Sequence, residues 1–185
     1  MSTFRFSLSN EEKTYLKELV VQSISFGLKR NDSPSSPPAP PTETLRKHLG
    51  VFVTLKIDGH LRGCIGNVQG GGELYQTIWD MAQSAAFEDP RFPPVTAQDF
   101  DALDYEISIL SPIEICPNPE LVEIGRHGLI MAKGGRSGLL LPQVPVEWKW
   151  NRETFLAQTC TKAGLPRNAW RDKDTTIFWF EAIVF

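Results

Sequence analysis

Val51-Phe-Val-Thr-Leu-Lys-Ile57 alternates in period two, Asp58-Gly59 follows, and His60-Leu-Arg-Gly-Cys-Ile65 returns. Such alternation reads as a half-buried strand. Asp-Gly supplies the two left-handed residues that a type I′ turn requires, so the stretch predicts a tight antiparallel hairpin. A two-residue loop places Ile57 opposite His60, Leu55 opposite Arg62 and Val53 opposite Cys64. It also puts His60, Arg62 and Cys64 on one face, with Leu61, Gly63 and Ile65 on the other. A slip in the loop would change the pairs, but the shared face follows from spacing alone.

Upstream, Ser9-Asn-Glu-Glu12 has the form of a capping box. Leu16, Leu19, Val20, Ile24 and Leu28 then recur at helical spacing and predict an amphipathic helix from about Asn10 to Lys29. Asn31-Asp32-Ser33 ends it, and five prolines fall between Pro34 and Pro41. The stretch 31–44 is expected to be a proline-rich extended loop, because proline cannot donate ladder hydrogen bonds, and Asp32–Thr42 within it is expected to be dispensable for folding.

Downstream, Glu73 to about Phe87 carries Leu74, Ile78, Met81, Ala82 and Ala85 on one helical stripe, and the prolines of Asp89-Pro-Arg-Phe-Pro-Pro94 stop it. Tyr105–Leu110 alternates again, with Glu106 and Ser108 facing away from Tyr105, Ile107 and Ile109. Gly128–Lys133 and Gly138–Leu141 read as a second hairpin, and Asn151 can cap a third helix through Phe155, Leu156 and Cys160. Ile177–Phe185 is apolar on both faces apart from Glu181, which predicts a covered strand. Hairpins rather than regular βαβ alternation make the expected fold α+β, in one domain over residues 1–185.

The chain has 19 Lys+Arg against 22 Asp+Glu, a net charge of −3. This balance lacks the basic excess of a nucleic-acid-binding surface, and no nucleic-acid partner is expected. No run approaches the roughly 18 apolar residues of a membrane span, and Met1–Phe6 lacks a signal-peptide layout. Three widely spaced cysteines do not make a disulfide framework. The expectation is a cytoplasmic protein without a membrane partner.

The chemistry-bearing residues are few. Cys160 lies on an apolar helical stripe and reads as a buried hydrophobe; Cys116, between Ile115 and Pro117, suggests no role. Cys64 stands between Gly63 and Gly66, with Arg62 nearby. Glycine within a strand marks a bulge or a close approach by backbone or ligand, and a neighbouring cation favours the thiolate. Cys64 is therefore either a reactive thiol or a half-buried structural cysteine. His48, His60 and His127 are scattered, so no metal and no cofactor are expected. Lys133-Gly-Gly-Arg136 reads as a hairpin turn rather than an anion nest. Asp89 and Arg91 can cap a helix and pair with each other, Gln143 can satisfy loop backbone, and Glu106 faces solvent or a cleft.

Leu61-Arg-Gly-Cys-Ile-Gly66 resembles the hallmark hexapeptide of the AMMECR domain family. Gly50–Lys56, Ala85–Pro93, Ser108–Pro112, Gly138–Val144 and Phe155–Leu165 follow the family pattern in order, so the resemblance covers nearly the whole chain. It implies an α+β fold with a largely antiparallel sheet flanked by helices, in two unequal lobes with a crevice. The proline-rich insertion Pro34–Pro41 departs from the pattern. In bacteria the resemblance implies component A of an AmmeMemoRadiSam-type system, associated with a Memo-like protein, itself similar to extradiol dioxygenases, and with a radical SAM enzyme. The family supplies no settled reaction, and two expectations follow. In one, Cys64 is a nucleophile or tether for a small substrate: Arg62 stabilises the thiolate or an anionic substrate, Glu106 or Asp89 supplies a carboxylate, Gln143 orients the ligand, and Gly63, Gly66 and Arg91 line the site. In the other, the domain is a non-catalytic module that binds a ligand or the partner proteins.

Overall fold

The computed structural model describes residues 6–29 and 36–185. The Met1–Arg5 part of the N-terminal segment and the 30–35 part of the proline-rich tract lie outside these. α1 (Asn10–Leu28) opens with the capping box read from the sequence: Ser9 Oγ accepts from the Glu12 amide, and Glu12 Oε2 accepts from the Ser9 amide. A 3-10 turn at Glu43–Arg46 leads into β1 (Val51–Ile57) and β2 (His60–Asn67). Asp58 and Gly59 both have positive φ, as the two-residue turn requires. There follow α2 (Leu74–Phe87), the short α3 (Ala97–Phe100), β3 (Asp104–Leu110) and β4 (Glu114–Ile115). β5 (His127–Lys133), β6 (Arg136–Leu140), α4 (Gln143–Glu147), α5 (Arg152–Lys162) and β7 (Thr176–Val184) complete the chain. The strand pairs named below are all antiparallel, and the fold is the expected α+β.

By its contacts the chain divides into two compact units, Met1–Leu110 with Ile183–Phe185, and Ser111–Ala182. In the first unit β1 pairs with β2 on one side and β3 on the other. The chain end joins β3, with Ile107 and Phe185 exchanging backbone hydrogen bonds at 3.0 and 3.2 Å. Val51, Val53, Leu55, Ile107 and Ile109 form the core face, completely buried with Leu16, Leu19, Val20 and Ile24 of α1 and Leu74 and Ile78 of α2. The opposite face carries Phe52, Thr54 and Lys56 of β1 beside Ser108, Glu106 and Asp104 of β3.

In the second unit β5 pairs with β6 and β7, and β4 pairs with β7. Leu129, Met131, Phe155, Leu156, Cys160 and Ile177 make its core. Gly134 and Gly135 both take positive φ in a two-residue turn between Lys133 and Arg136, so Lys133–Arg136 is the expected hairpin turn, two residues tighter than strands ending at Lys133 and starting at Gly138 would make it.

The first hairpin differs from its predicted register. Ile57 pairs with His60, and Lys56 with Leu61; then the register shifts, and Leu55 pairs with Gly63, Thr54 with Cys64, Val53 with Ile65. Arg62 is the extra residue of a β-bulge, and a bulge breaks the alternation of side chains. His60, Arg62 and Cys64 therefore do not share a face as expected: Cys64 lies beside Thr54, away from the core, while His60 pairs on the side of Leu55's neighbour Ile57. The physical reason is non-local. Arg62 is drawn to Asp99 and to the Pro94 carbonyl, at 3.1 and 3.2 Å.

Candidate functional site

The register assembles a row of side chains across three strands of the first unit. Cys64 on β2 pairs with Thr54 on β1, and Thr54 pairs with Glu106 on β3. Directly paired residues of an antiparallel ladder point to the same face. The Thr54 hydroxyl donates to Cys64 Sγ at 3.3 Å, and Thr54 is buried while Cys64 is half-buried. Two residues along β1, Lys56 Nζ lies 3.7 Å from Glu106 Oε2. Thr54 and Lys56 were not singled out in the sequence, because the expected register placed Val53 opposite Cys64.

β2 is at the edge of the sheet. Its outward backbone groups at Cys64 are closed by the loop after α2: the Cys64 amide donates to Asp89 Oδ2 at 2.8 Å, and its carbonyl accepts from Arg91 Nη2 at 3.1 Å. Asp89 and Arg91 form a two-pronged pair, at 2.9 Å from Nε and 2.7 Å from Nη2. This pair holds the Asp89 carboxyl well below the usual carboxylate range against the opposing effect of burial, with the Cys64 and Arg91 amides adding to it. Arg91 is raised in turn, chiefly by its hydrogen bonds to Asp89 and further by Cys64.

The cation bonded to Cys64 is thus Arg91, at the backbone carbonyl. Arg62, expected in that role, pairs with Asp99, whose carboxyl is lowered first by the Thr96 amide and further by Arg62. Gly63 and Gly66 have packing roles. A Cβ on Gly63 would stand 2.1 Å from the Ala85 carbonyl oxygen of α2, and one on Gly66 would stand 2.2 Å from the Val51 carbonyl oxygen and 2.4 Å from the Phe52 ring. Gln143 opens α4 in the second unit, whereas the other predicted site residues all belong to the first.

Cys160 is completely buried and Cys116 nearly so, and burial pushes both thiols up. Among the described residues no group of three or more His, Cys, Asp or Glu side chains could hold a metal ion, and no helix is long and apolar enough to cross a membrane.

The AMMECR1 family model matches residues 17–185. The chain belongs to the AMMECR1 family. Protein PH0010 of Pyrococcus horikoshii is 42% identical over 97% of this chain and 92% of its own length. A protein of Thermococcus gammatolerans is 47% identical with the same coverage, and one of Aquifex aeolicus is 46% identical over 77% of each chain. The crystal structure of the uncharacterized PH0010 superposes with a TM-score of 0.89 at 41% identity, covering 96% of this chain and 92% of that one. These AMMECR1 relatives bear generic names, so the chemistry must be argued from the residues.

Proposed function

We propose that this AMMECR1 domain works through the thiol of Cys64 on a small electrophilic substrate. The observation that carries the reading is the Thr54 hydroxyl fixed on Cys64 Sγ in a row with Glu106, with Arg91 bonded to the carbonyl of the same cysteine. Thr54 orients the sulfur, Arg91 favours its thiolate, and Glu106, facing Lys56, is the carboxylate on the same face. In the nucleophilic step the sulfur, its proton already lost to solvent, adds to a carbonyl carbon of the substrate; the C=O π bond breaks, its electron pair goes to the oxygen, and that oxygen takes a proton from solvent.

A second reading draws support from a different observation. Protein atoms already occupy the space beside Gly63 and Gly66, which is what a non-catalytic module needs of those glycines. Under that reading the domain binds a Memo-like protein and a radical SAM enzyme, the association that the resemblance to component A of an AmmeMemoRadiSam-type system implies.

Iodoacetamide labelling of the intact protein, read at Cys64 by peptide mass spectrometry between pH 6 and 9, separates the two. The thiol reading expects Cys64 to label faster at neutral pH than an unstructured cysteine peptide, with Cys64→Ser folding normally. A sluggish Cys64, together with co-purification of the two partners by the Cys64→Ser protein, would favour the binding module.

A further inference from the structure

Asp89 looks at first like a second carboxylate for the site, but its hydrogen bonds say otherwise. Oδ2 accepts from the Cys64 amide at 2.8 Å and from Arg91 Nη2 at 2.7 Å. Oδ1 accepts from Arg91 Nε at 2.9 Å and from the Arg91 amide at 3.1 Å. An ionised carboxylate offers about four lone-pair sites. All four are used, and only 2% of the side chain is exposed. Asp89 has no capacity left to take a proton from a substrate or to hold a ligand. Arg91, by contrast, is half exposed, at 49%. Its position is dictated by the fork on Asp89 and by the bond from Nη2 to the Cys64 carbonyl.

We infer that Asp89 is a positioning residue, which clamps the Arg91 guanidinium against Cys64 so that the reactivity of the thiol depends on a carboxylate bonded to the backbone of Cys64 and not to its sulfur. This rests on the reading of Cys64 as a functional thiol. A purely structural clamp would also close the edge of β2. The two roles differ in sign at the sulfur. Asp89 is an anion, so its charge taken alone disfavours the thiolate, and neutralising it would make the thiol more acidic. If Asp89 acts by holding Arg91, neutralising it releases the cation and makes the thiol less acidic.

The other charged groups around Cys64 are accounted for. Arg62 on β2 is paired with Asp99, Lys56 and Glu106 face each other beyond Thr54, and Glu88 at the end of α2 is bonded to Ser84.

The test is the pH profile of iodoacetamide labelling at Cys64 in the full chain, for wild type, Asp89→Asn, Arg91→Lys and the double variant. The inference expects Asp89→Asn to move the midpoint upward by about one pH unit and Arg91→Lys to move it the same way. The double variant should move it no further than the larger single change, because the two residues act as one unit. An Asp89→Asn midpoint that falls or stays put while that of Arg91→Lys rises overturns the inference and leaves the thiol reading standing. A wild-type midpoint like that of an unstructured cysteine, unmoved by Arg91→Lys, overturns the thiol reading itself. If Asp89→Asn does not fold, Asp89→Glu serves. It keeps the charge and breaks the fork geometry, so an upward shift supports positioning and an unchanged midpoint overturns it.

Discussion

Arg62 reaches Asp99 at 3.1 Å, and the bulge that it forms in β2 takes it out of the row holding Cys64. The exposed fraction of its side chain is 13%, and Nη1 is buried without a hydrogen-bond partner, so the guanidinium is committed to the Asp99 and Pro94 contacts. Arg62→Gln is expected to cost roughly 1–2 kcal/mol in a urea melt, the loss of a partly buried charge-assisted bond. The same variant should change the Cys64 labelling rate less than Arg91→Lys does. The reverse order of the two would return Arg62 to the thiol.

Gly63 is where α2 comes down on the hairpin. Its missing side chain lets the Ala85 carbonyl approach to a position 2.1 Å from where a Cβ would stand, and a backbone oxygen cannot swing aside as a side chain would. Gly63→Ala should therefore destabilise the protein by about 1–3 kcal/mol, read as a lower denaturant midpoint at unchanged m-value. An Ala variant of wild-type stability would mean that α2 shifts freely, and the packing account would fail.

Much of this was legible in the chain because it is local. Ser9 and Glu12 are three residues apart and need only each other, and Asp58-Gly59 specifies its own turn. The bulge was hidden, since it depends on Asp99 and Pro94, more than thirty residues downstream. With the bulge hidden, the true partner of Cys64 was hidden too. The expected register paired it with the buried core residue Val53 instead of with Thr54, whose hydroxyl it meets. Asp89 and Arg91 stood out as polar residues at an apolar junction, but nothing in Glu88-Asp-Pro-Arg-Phe92 shows that they close the backbone of another strand.

Asp89 also ties stability to pH. Its folded carboxyl lies below the usual value, so the unfolded chain takes up a proton first as pH falls, beginning near about 3.9. The stabilisation is fully present above that value and is lost as pH falls further towards the folded value. Urea midpoints measured from pH 6 to pH 2.5 should fall on the acid side, and the fall should be shallower in Asp89→Asn. An equal acid slope in both proteins would assign the loss to other carboxylates.

The last strand is expected to be indispensable for folding. Ile177 and Phe180 are buried, and Phe185 exchanges backbone bonds with Ile107. Removing Thr176–Phe185 strips large side chains whose burial is worth roughly 1.5–3 kcal/mol each, against a total stability of about 5–15 kcal/mol. The expected product is insoluble, and a truncated chain that melts cooperatively would refute the strand's role.

The proline-rich tract divides at Thr42. Its hydroxyl donates to Glu12 Oε1, and Glu12, only 5% exposed, is the acidic member of the capping box that starts α1. Thr42 therefore belongs to the folded unit and must be kept when the loop is shortened, which narrows the expectation that the whole loop is dispensable. Upstream of it, the contact of Pro38 with Tyr15 is made through a backbone carbonyl, at 2.8 Å, which any residue could supply. Trimming Ser33–Pro41 to a shorter Gly/Ser bridge should leave stability within about 1 kcal/mol, since closure entropy changes slowly with loop length. Thr42→Val should cost about 1–3 kcal/mol, because it leaves a buried carboxylate oxygen short of one donor. Thermal melts of the two variants side by side test the division. A large loss in the Gly/Ser protein would show that the proline rings themselves pack on the core, and a neutral Thr42→Val would show that Glu12 holds the cap without help.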